Sequence, residues 1–310
     1  MNFLYSIYFS LPNFARIGVF GKIINKILAM LLKRIFDYTM PAYFKRTAEK
    51  AGNGLNKDYR DEMYVVSLTS FPARINDIWI TIETILRQNF KPDMIILWLG
   101  KDKFSNVALP QSLTNLEKRG LTIKFIEDLR SHTKYYYAFD IDSSANIITL
   151  DDDEYYPENT LQSLVDMHRK NPDAICANRA HKLTFKDNKI NPYRKWKTNY
   201  KGFKNPHSHL LQTGVCGVLY PPGSLHSDVF DKELFKKICL RADDVWLYIM
   251  AYRNGTKVTT NKKFNKDFIT VSKTQKETLV QQNVFDGGND QQLKNICDHF
   301  EINLMVKPNN

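Results

Sequence analysis

Asn146-Ile147-Ile148-Thr149-Leu150-Asp151-Asp152-Asp153-Glu154-Tyr155-Tyr156-Pro157 is an apolar run that ends in three consecutive aspartates. A short run of this composition reads as a buried strand. Carboxylates gathered at its lip repel one another unless a cation or a proton offsets them. In an extended segment Asp151 and Asp153 point the same way, because side chains alternate with period two. Two hard oxygen ligands one residue apart suit Mg²⁺ or Mn²⁺, which keeps waters and takes further ligands from substrate phosphates. The same residues also suit a solvated turn before a helix, where acidic side chains favour the N-terminus. The triplet alone does not separate the two.

On either side of this run the sequence alternates. Strands are expected at 64–68, 94–99, 121–126 and 147–150, with helical segments at 78–88, 113–119, 135–139 and 160–170. Strands alternating with helices predict a parallel sheet flanked by helices, an α/β fold. In open sheets of that kind ligands bind beyond the carboxyl ends of the strands, where the aspartates fall.

The 310 residues carry 44 Lys and Arg against 33 Asp and Glu, a formal charge of +11, which favours an anionic partner. Hydrophobic residues make up 43%, enough for a packed core. The four cysteines (Cys176, Cys216, Cys239, Cys297) form no C-x-x-C pair and fit neither a zinc site nor a disulfide framework, so reduced cytosolic thiols are expected. Asn254-Gly255-Thr256 then reads as a turn, not a glycosylation site. No G-x-S-x-G, Walker A or H-E-x-x-H pattern occurs, which disfavours the common hydrolases.

Residues 1–46 differ from the rest. Arg16, Lys22, Lys26, Lys33, Arg34, Lys45 and Arg46 against Asp37 alone give a local charge of +6, seven minus one. Phe20, Ile24, Ile27, Leu28, Leu31 and Ile35 recur at helical spacing, with Lys22, Lys26 and Lys33 expected opposite. No uncharged apolar stretch approaches the roughly 20 residues that cross a bilayer. Pro12 and the lack of a small-residue cleavage site argue against a signal peptide. Such a basic amphipathic helix lies in the interface of an anionic membrane leaflet, or else packs on the protein's own core with its lysines in water. Residues 47–62 read as a linker and 63–310 as one domain. Between 182 and 204 eight basic residues interleave with Phe185, Tyr193, Trp196, Tyr200 and Phe203. That mixture binds single-stranded nucleic acid in some proteins; the plainer expectation is a twisted hairpin with solvated lysines.

Several separated segments carry a resemblance: Val66-Ser67-Leu68-Thr69-Ser70-Phe71-Pro72-Ala73-Arg74, His132-Thr133-Lys134-Tyr135-Tyr136-Tyr137-Ala138, Asp151-Asp152-Asp153, the stretch from Gln212 to Gly223, Ala242-Asp243-Asp244-Val245-Trp246-Leu247, and Gly287-Gly288-Asn289-Asp290. Their order resembles that of bacterial family-two-like glycosyltransferases of the GT-A fold, the capsule and lipopolysaccharide sugar-transferase type. The resemblance implies a single GT-A domain that moves a sugar from a nucleotide-sugar donor to a glycan or lipid-linked acceptor. It implies that Thr69, Arg74, Lys134, Asp151 and Asp152 meet the nucleotide and diphosphate, and that Gly214 and Gly217 lie against the donor sugar. It also implies that Asp151 and Asp153 hold Mn²⁺ or Mg²⁺, and that Asp243 and Asp244 supply the catalytic base. The second strand ends Trp98-Leu99-Gly100-Lys101-Asp102 without the usual acidic run, which leaves the nucleotide open, a UDP-sugar being favoured.

Chemically, the acceptor hydroxyl must lose a proton as it attacks, and Asp244 is the candidate general base. Asp243 would cap a helix over 245–252 or orient the acceptor, and Trp246 would be either a stacking platform or core. His207 and His209 are candidates for a third metal ligand. Two other classes remain in view. A nucleotidyltransferase shares the α/β core and the metal carboxylates, but it normally carries a glycine-rich loop near the first strand, and 69–74 has no glycine. A nucleic-acid-binding protein would use 182–204 and give the aspartates no role, so no nucleic-acid partner is expected. The expected location is cytoplasmic, peripheral on the inner face of the cell membrane.

Overall fold

The computed structural model describes residues 2–12, 14, 18–272, 283, 284 and 286–305. Two helices, α1 (Asn2–Ser10) and α2 (Gly18–Thr47), precede the first strand. The alternation follows: β1 (Tyr64–Ser70), α3 (Ile78–Leu86), β2 (Met94–Gly100), the short α4 (Lys101–Phe104) and α5 (Gln111–Thr114), β3 (Leu121–Ile126), α6 (Thr133–Tyr136) and β4 (Asn146–Thr149). After the aspartates come β5 (Glu154–Tyr155), α7 (Thr160–His168), β6 (Ile175–Ala177), β7 (Ala180–Lys182), β8 (Phe185–Lys186), β9 (Lys189–Ile190), β10 (Leu210–Gln212) and β11 (Val218–Tyr220). The chain continues through α8 (Lys232–Ile238), α9 (Asp243–Arg253), β12 (Val258–Thr260), β13 (Ile269–Thr270) and α10 (Gly288–His299).

Seven strands form one sheet in the order β12-β6-β11-β4-β1-β2-β3, with only β11 reversed. The expected α/β class, a mostly parallel sheet flanked by helices, is the observed one. Val65, Val66, Ile95, Leu97, Ile147 and Ile148 are fully buried, as strands covered on both faces require. From β1 the chain steps to β2 and β3 on one side, then returns to lay β4 on the other. That reversal opens a crevice between the carboxyl ends of β1 and β4, and the triplet follows β4 into it.

Helix α3 has every residue buried, including Glu83, whose carboxylate takes Arg87 at 2.9 Å and Arg119 at 2.6 Å. The helix expected over 113–119 divides into α5 and a 3-10 turn over Asn115–Arg119, because Pro110 precedes the first and Gly120, at φ +108°, ends the second. Between β8 and β9 a tight turn places Asp187 and Asn188 at positive φ, but most of 182–204 is not a hairpin. Tyr193 and Trp196 are buried there against the core.

The N-terminal helices divide along their length. Leu32, Phe36, Met40 and Phe44, spaced by four, are buried, and the last three share the domain core with Tyr5 of α1. Phe20, Ile27, Leu31 and Ile35, expected to form the apolar contact stripe, are exposed. Packing here selects the neighbouring face of the helix. Residues 47–62, expected as a linker, are fastened along the sheet edge: Gly54 N–H donates to Arg119 O at 2.9 Å, Asn56 N–H donates to Pro92 O at 2.8 Å, and Arg60 pairs with Asp93. Among the described residues no helix is long and apolar enough to cross a membrane.

Candidate active site

Strand pairing of β4 ends at Thr149, and Asp151, Asp152 and Asp153 form a turn. The alternation expected of an extended triplet therefore does not apply. Instead Asp151 turns to one cation, and Asp152 and Asp153 share another. Asp151 Oδ1 accepts from Lys134 Nζ at 2.7 Å. Asp152 turns inward, accepting from Ser70 Oγ at 2.5 Å and from Arg74. Asp153 Oδ2 lies 3.2 Å from the same Arg74 guanidinium. The Tyr156 hydroxyl fixes the turn, taking the Asp151 N–H at 2.8 Å, and Asp153 O accepts from Val271 N at 2.7 Å.

Lys134 is the hub. Its ammonium is buried, 2.7 Å from Asp151 and 3.0 Å from Oδ2 of Asp243, the latter an ion pair without hydrogen-bond alignment. Burial by itself would lower its pKa, but Asp151, Asp243 and Asp244 outweigh that and raise it well above the ordinary lysine value. Helix α6 brings Lys134 here, and the Ser67 hydroxyl on β1 donates to its carbonyl. His132, two residues before, stacks on Phe235 at 4.3 Å and bonds to Cys239 O at 2.8 Å. Burial drives its pKa down to about 4, so it is neutral.

Helix α9 begins at Asp243 itself, with Ala242 in the capping position. Asp243 thus caps nothing; its carboxylate faces Lys134. Burial pushes Asp243 up, but the Lys134 ammonium prevails and holds it below the usual carboxylate range. Asp244 differs. Its Oδ1 accepts from Gly214 N at 3.0 Å, and it keeps some contact with solvent although protein surrounds it. Burial and the neighbouring Asp243 charge push it up to about 8, against the pull of Lys134. Two adjacent carboxyls with pKa values driven apart divide naturally into a fixed anion and a proton acceptor.

Gly214 sits in the middle. A Cβ there would lie 2.9 Å from Lys134 Nζ and 3.1 Å from Asp151 Oδ1, so any side chain would crowd the ion pair. Gly217, at φ +90°, faces Leu150 and Leu164 rather than the carboxylates. Thr69, at the end of β1, donates to Trp98 O at 3.0 Å. The fold therefore brings Arg74, Lys134, Asp151, Asp152, Asp153, Gly214, Asp243 and Asp244 to one place, with Thr69 and Gly217 at its margin.

Trp246 is core, fully buried with Nε1 donating to Val229 O at 3.2 Å. His207 stacks on Phe203 at 3.9 Å, and His209 bonds to Leu304 O at 2.9 Å. Asp290, from the Gly-Gly-Asn-Asp segment, accepts from Tyr193 N at 2.7 Å. Ser70, Tyr156 and Glu154 were not singled out by sequence. Ser70 and Tyr156 lie inside stretches quoted for other residues. Glu154 follows the triplet directly; it is buried, and desolvation with Asp153 and Asp151 nearby raises its pKa well above normal.

Among the described residues no three His, Cys, Asp or Glu side chains are grouped to hold a metal ion. Asp151 and Asp153 do offer the hard carboxylate oxygens that Mg²⁺ and Mn²⁺ take, and Asp151 remains 26% exposed beside the space left by Gly214. In kind, that donor set fits an ion completing its shell with water and phosphate.

No family model matches the chain, and no curated protein matches it. Among solved structures it is similar to residues 1–349 of S. aureus TarS, with TM-score 0.40 and 13% identity over 66% of this chain and 59% of that one. The UDP complex of the same TarS piece gives 0.42 and 13% over the same shares. A 4-diphosphocytidyl-2C-methyl-D-erythritol synthase gives 0.40 and 11% over 68% of this chain and 93% of the other. This chain thus spans about 59% of the TarS chain.

Proposed function

We propose that the chain is a glycosyltransferase that moves a sugar from a nucleoside-diphosphate donor, a UDP-sugar favoured, to a glycan acceptor carried on a lipid. The reading places it among the capsule and lipopolysaccharide sugar transferases, peripheral on the inner face of the membrane. One observation carries it: Asp244, its pKa pushed up to about 8, adjoins Asp243, Lys134 and the Gly214 amide in the crevice where β4 delivers its aspartates.

The reaction follows from these groups. The acceptor oxygen bonds to the anomeric carbon as the carbon–oxygen bond to the diphosphate breaks, the electron pair leaving with the phosphate. Asp244 takes the acceptor proton, as a raised pKa equips it to do. A single displacement of this kind inverts the anomeric configuration. Asp243 stays ionised and holds Lys134 in place. The lysine ammonium has three donors; it bonds Asp151 and pairs with the Asp243 charge, and it can also donate to a diphosphate oxygen. Arg74 positions Asp152 and Asp153. Asp151 and Asp153 would hold Mn²⁺ or Mg²⁺, which when bound supplies positive charge beside the departing phosphate.

A thermal-shift panel of nucleotide sugars with and without Mn²⁺ tests this. The expected result is one donor that raises the melting temperature only when metal is present. No stabilisation by any donor would refute it, and stabilisation by a nucleoside triphosphate with pyrophosphate release would point to nucleotidyl transfer instead.

A further inference from the structure

Ten of the fourteen exposed large apolar side chains among the described residues fall between Phe3 and Tyr43. Six of them, Val19, Phe20, Ile23, Ile27, Met30 and Leu31, lie on the first half of α2 with exposures from 48% to 75%. At 100° per residue they occupy an arc of about 120°, opposite Gly21, Leu32 and Phe36, which face the core. Lys22, Lys26 and Lys33 run along one border of this arc, and Arg34 lies within it. The lysines therefore flank the apolar row instead of opposing it. An apolar row of this size left in water marks a missing partner.

The row is tied to the site. Lys33 Nζ donates to Thr270 Oγ1 at 2.5 Å, and Asp37 accepts from the Tyr155 hydroxyl at 3.1 Å and from Ser272 N at 3.2 Å. The Tyr5 hydroxyl of α1 donates to Tyr155 O. Tyr155 and Thr270 belong to the β5–β13 pair that leaves directly from the aspartates. Whatever covers the outer half of α2 is held at a set distance from the acid triplet.

We propose that this row lies at the headgroup–acyl boundary of an anionic bilayer, with Lys22, Lys26 and Lys33 meeting lipid phosphates along its edge. Burying apolar area while cations remain at headgroup level is how interfacial helices bind. A second copy apposed antiparallel fits less well, since that arrangement brings the two lysine borders together. As a route to a lipid-linked acceptor the inference rests on the sugar-transfer reading; as a lipid-binding surface it does not.

The test is sedimentation of the full chain with vesicles of phosphatidylcholine alone or with roughly 30% phosphatidylglycerol. The expected result is co-sedimentation with the anionic vesicles that weakens with salt. Ile23→Glu with Ile27→Glu should reduce it at least tenfold at an unchanged melting temperature, and Lys22→Glu with Lys26→Glu should abolish the preference for anionic lipid. Binding of the isoleucine variant at the wild-type level overturns the proposal. So does equal binding to both vesicles, or a dimer that the isoleucine variant splits while neither form binds lipid. Full vesicle binding by a chain that transfers no sugar would sink the enzymatic reading and leave this one standing.

Discussion

The acid triplet and the outer half of α2 depart from the usual partition of side chains in opposite directions. The first buries charge: Asp152, Asp243 and Lys134 are each under 8% exposed. The second exposes apolar area, with Val19 and Phe20 at 70% or more. Each is costly in isolation, by desolvation in one case and by apolar hydration in the other. The buried charges are offset within the chain, through Lys134 and Arg74, so the site is formed before any ligand arrives. The exposed row has no such internal offset. A preorganised site and an unfinished surface are thus joined through Tyr155, which α1 and α2 both hold.

Substitutions can break this contrast at several points. Asp244→Asn should lower turnover by about 10²–10⁴-fold in a transfer assay without lowering the melting temperature, because it removes a proton acceptor and a like charge together. Lys134→Met should destabilise the fold by about 3–5 kcal/mol in urea titration, since Asp151 and Asp243 lose their shared cation. Along α2, Phe36→Ala should cost about 3–5 kcal/mol, whereas Phe20→Ala should stay within about 0.5 kcal/mol. Equal costs at the two positions would erase the division of the helix.

A smaller effect concerns pH. With Asp244 pushed up to about 8, turnover should rise with pH and level off near that value. Stability should move the other way. The folded chain keeps this proton where the unfolded chain has released it, so the group's contribution is lost as pH climbs from the carboxylate range through about 8. In Asp244→Asn both dependences should flatten.

Much of the fold was legible because its signals are local. Apolar runs separated by helical segments predicted β1, β2, β3 and β4 within a residue or two, and from them the crevice. The aspartates and Asp243-Asp244 stood out as clustered carboxylates. What eluded the sequence was direction. Asp243 reads as a helix cap until Lys134, 109 residues away, is placed opposite it. His207 and His209 could be ligands or structural histidines by sequence, and here one stacks on Phe203 and the other bonds to Leu304 O. The apolar stripe of α2 left membrane contact and packing on the core both open, because the helix has apolar residues on two faces and periodicity does not say which one the core takes.

Composition and order, then, determined a basic α/β chain with carboxylates at the end of its fourth strand and an amphipathic start. Tertiary structure decided which partner each carboxylate meets, and which face of α2 meets solvent. Backbone preference and hydrophobic pattern act between near neighbours and can be read along the chain. Ion pairing, desolvation and helix docking depend on groups brought together from distant positions, and only folding brings them within reach.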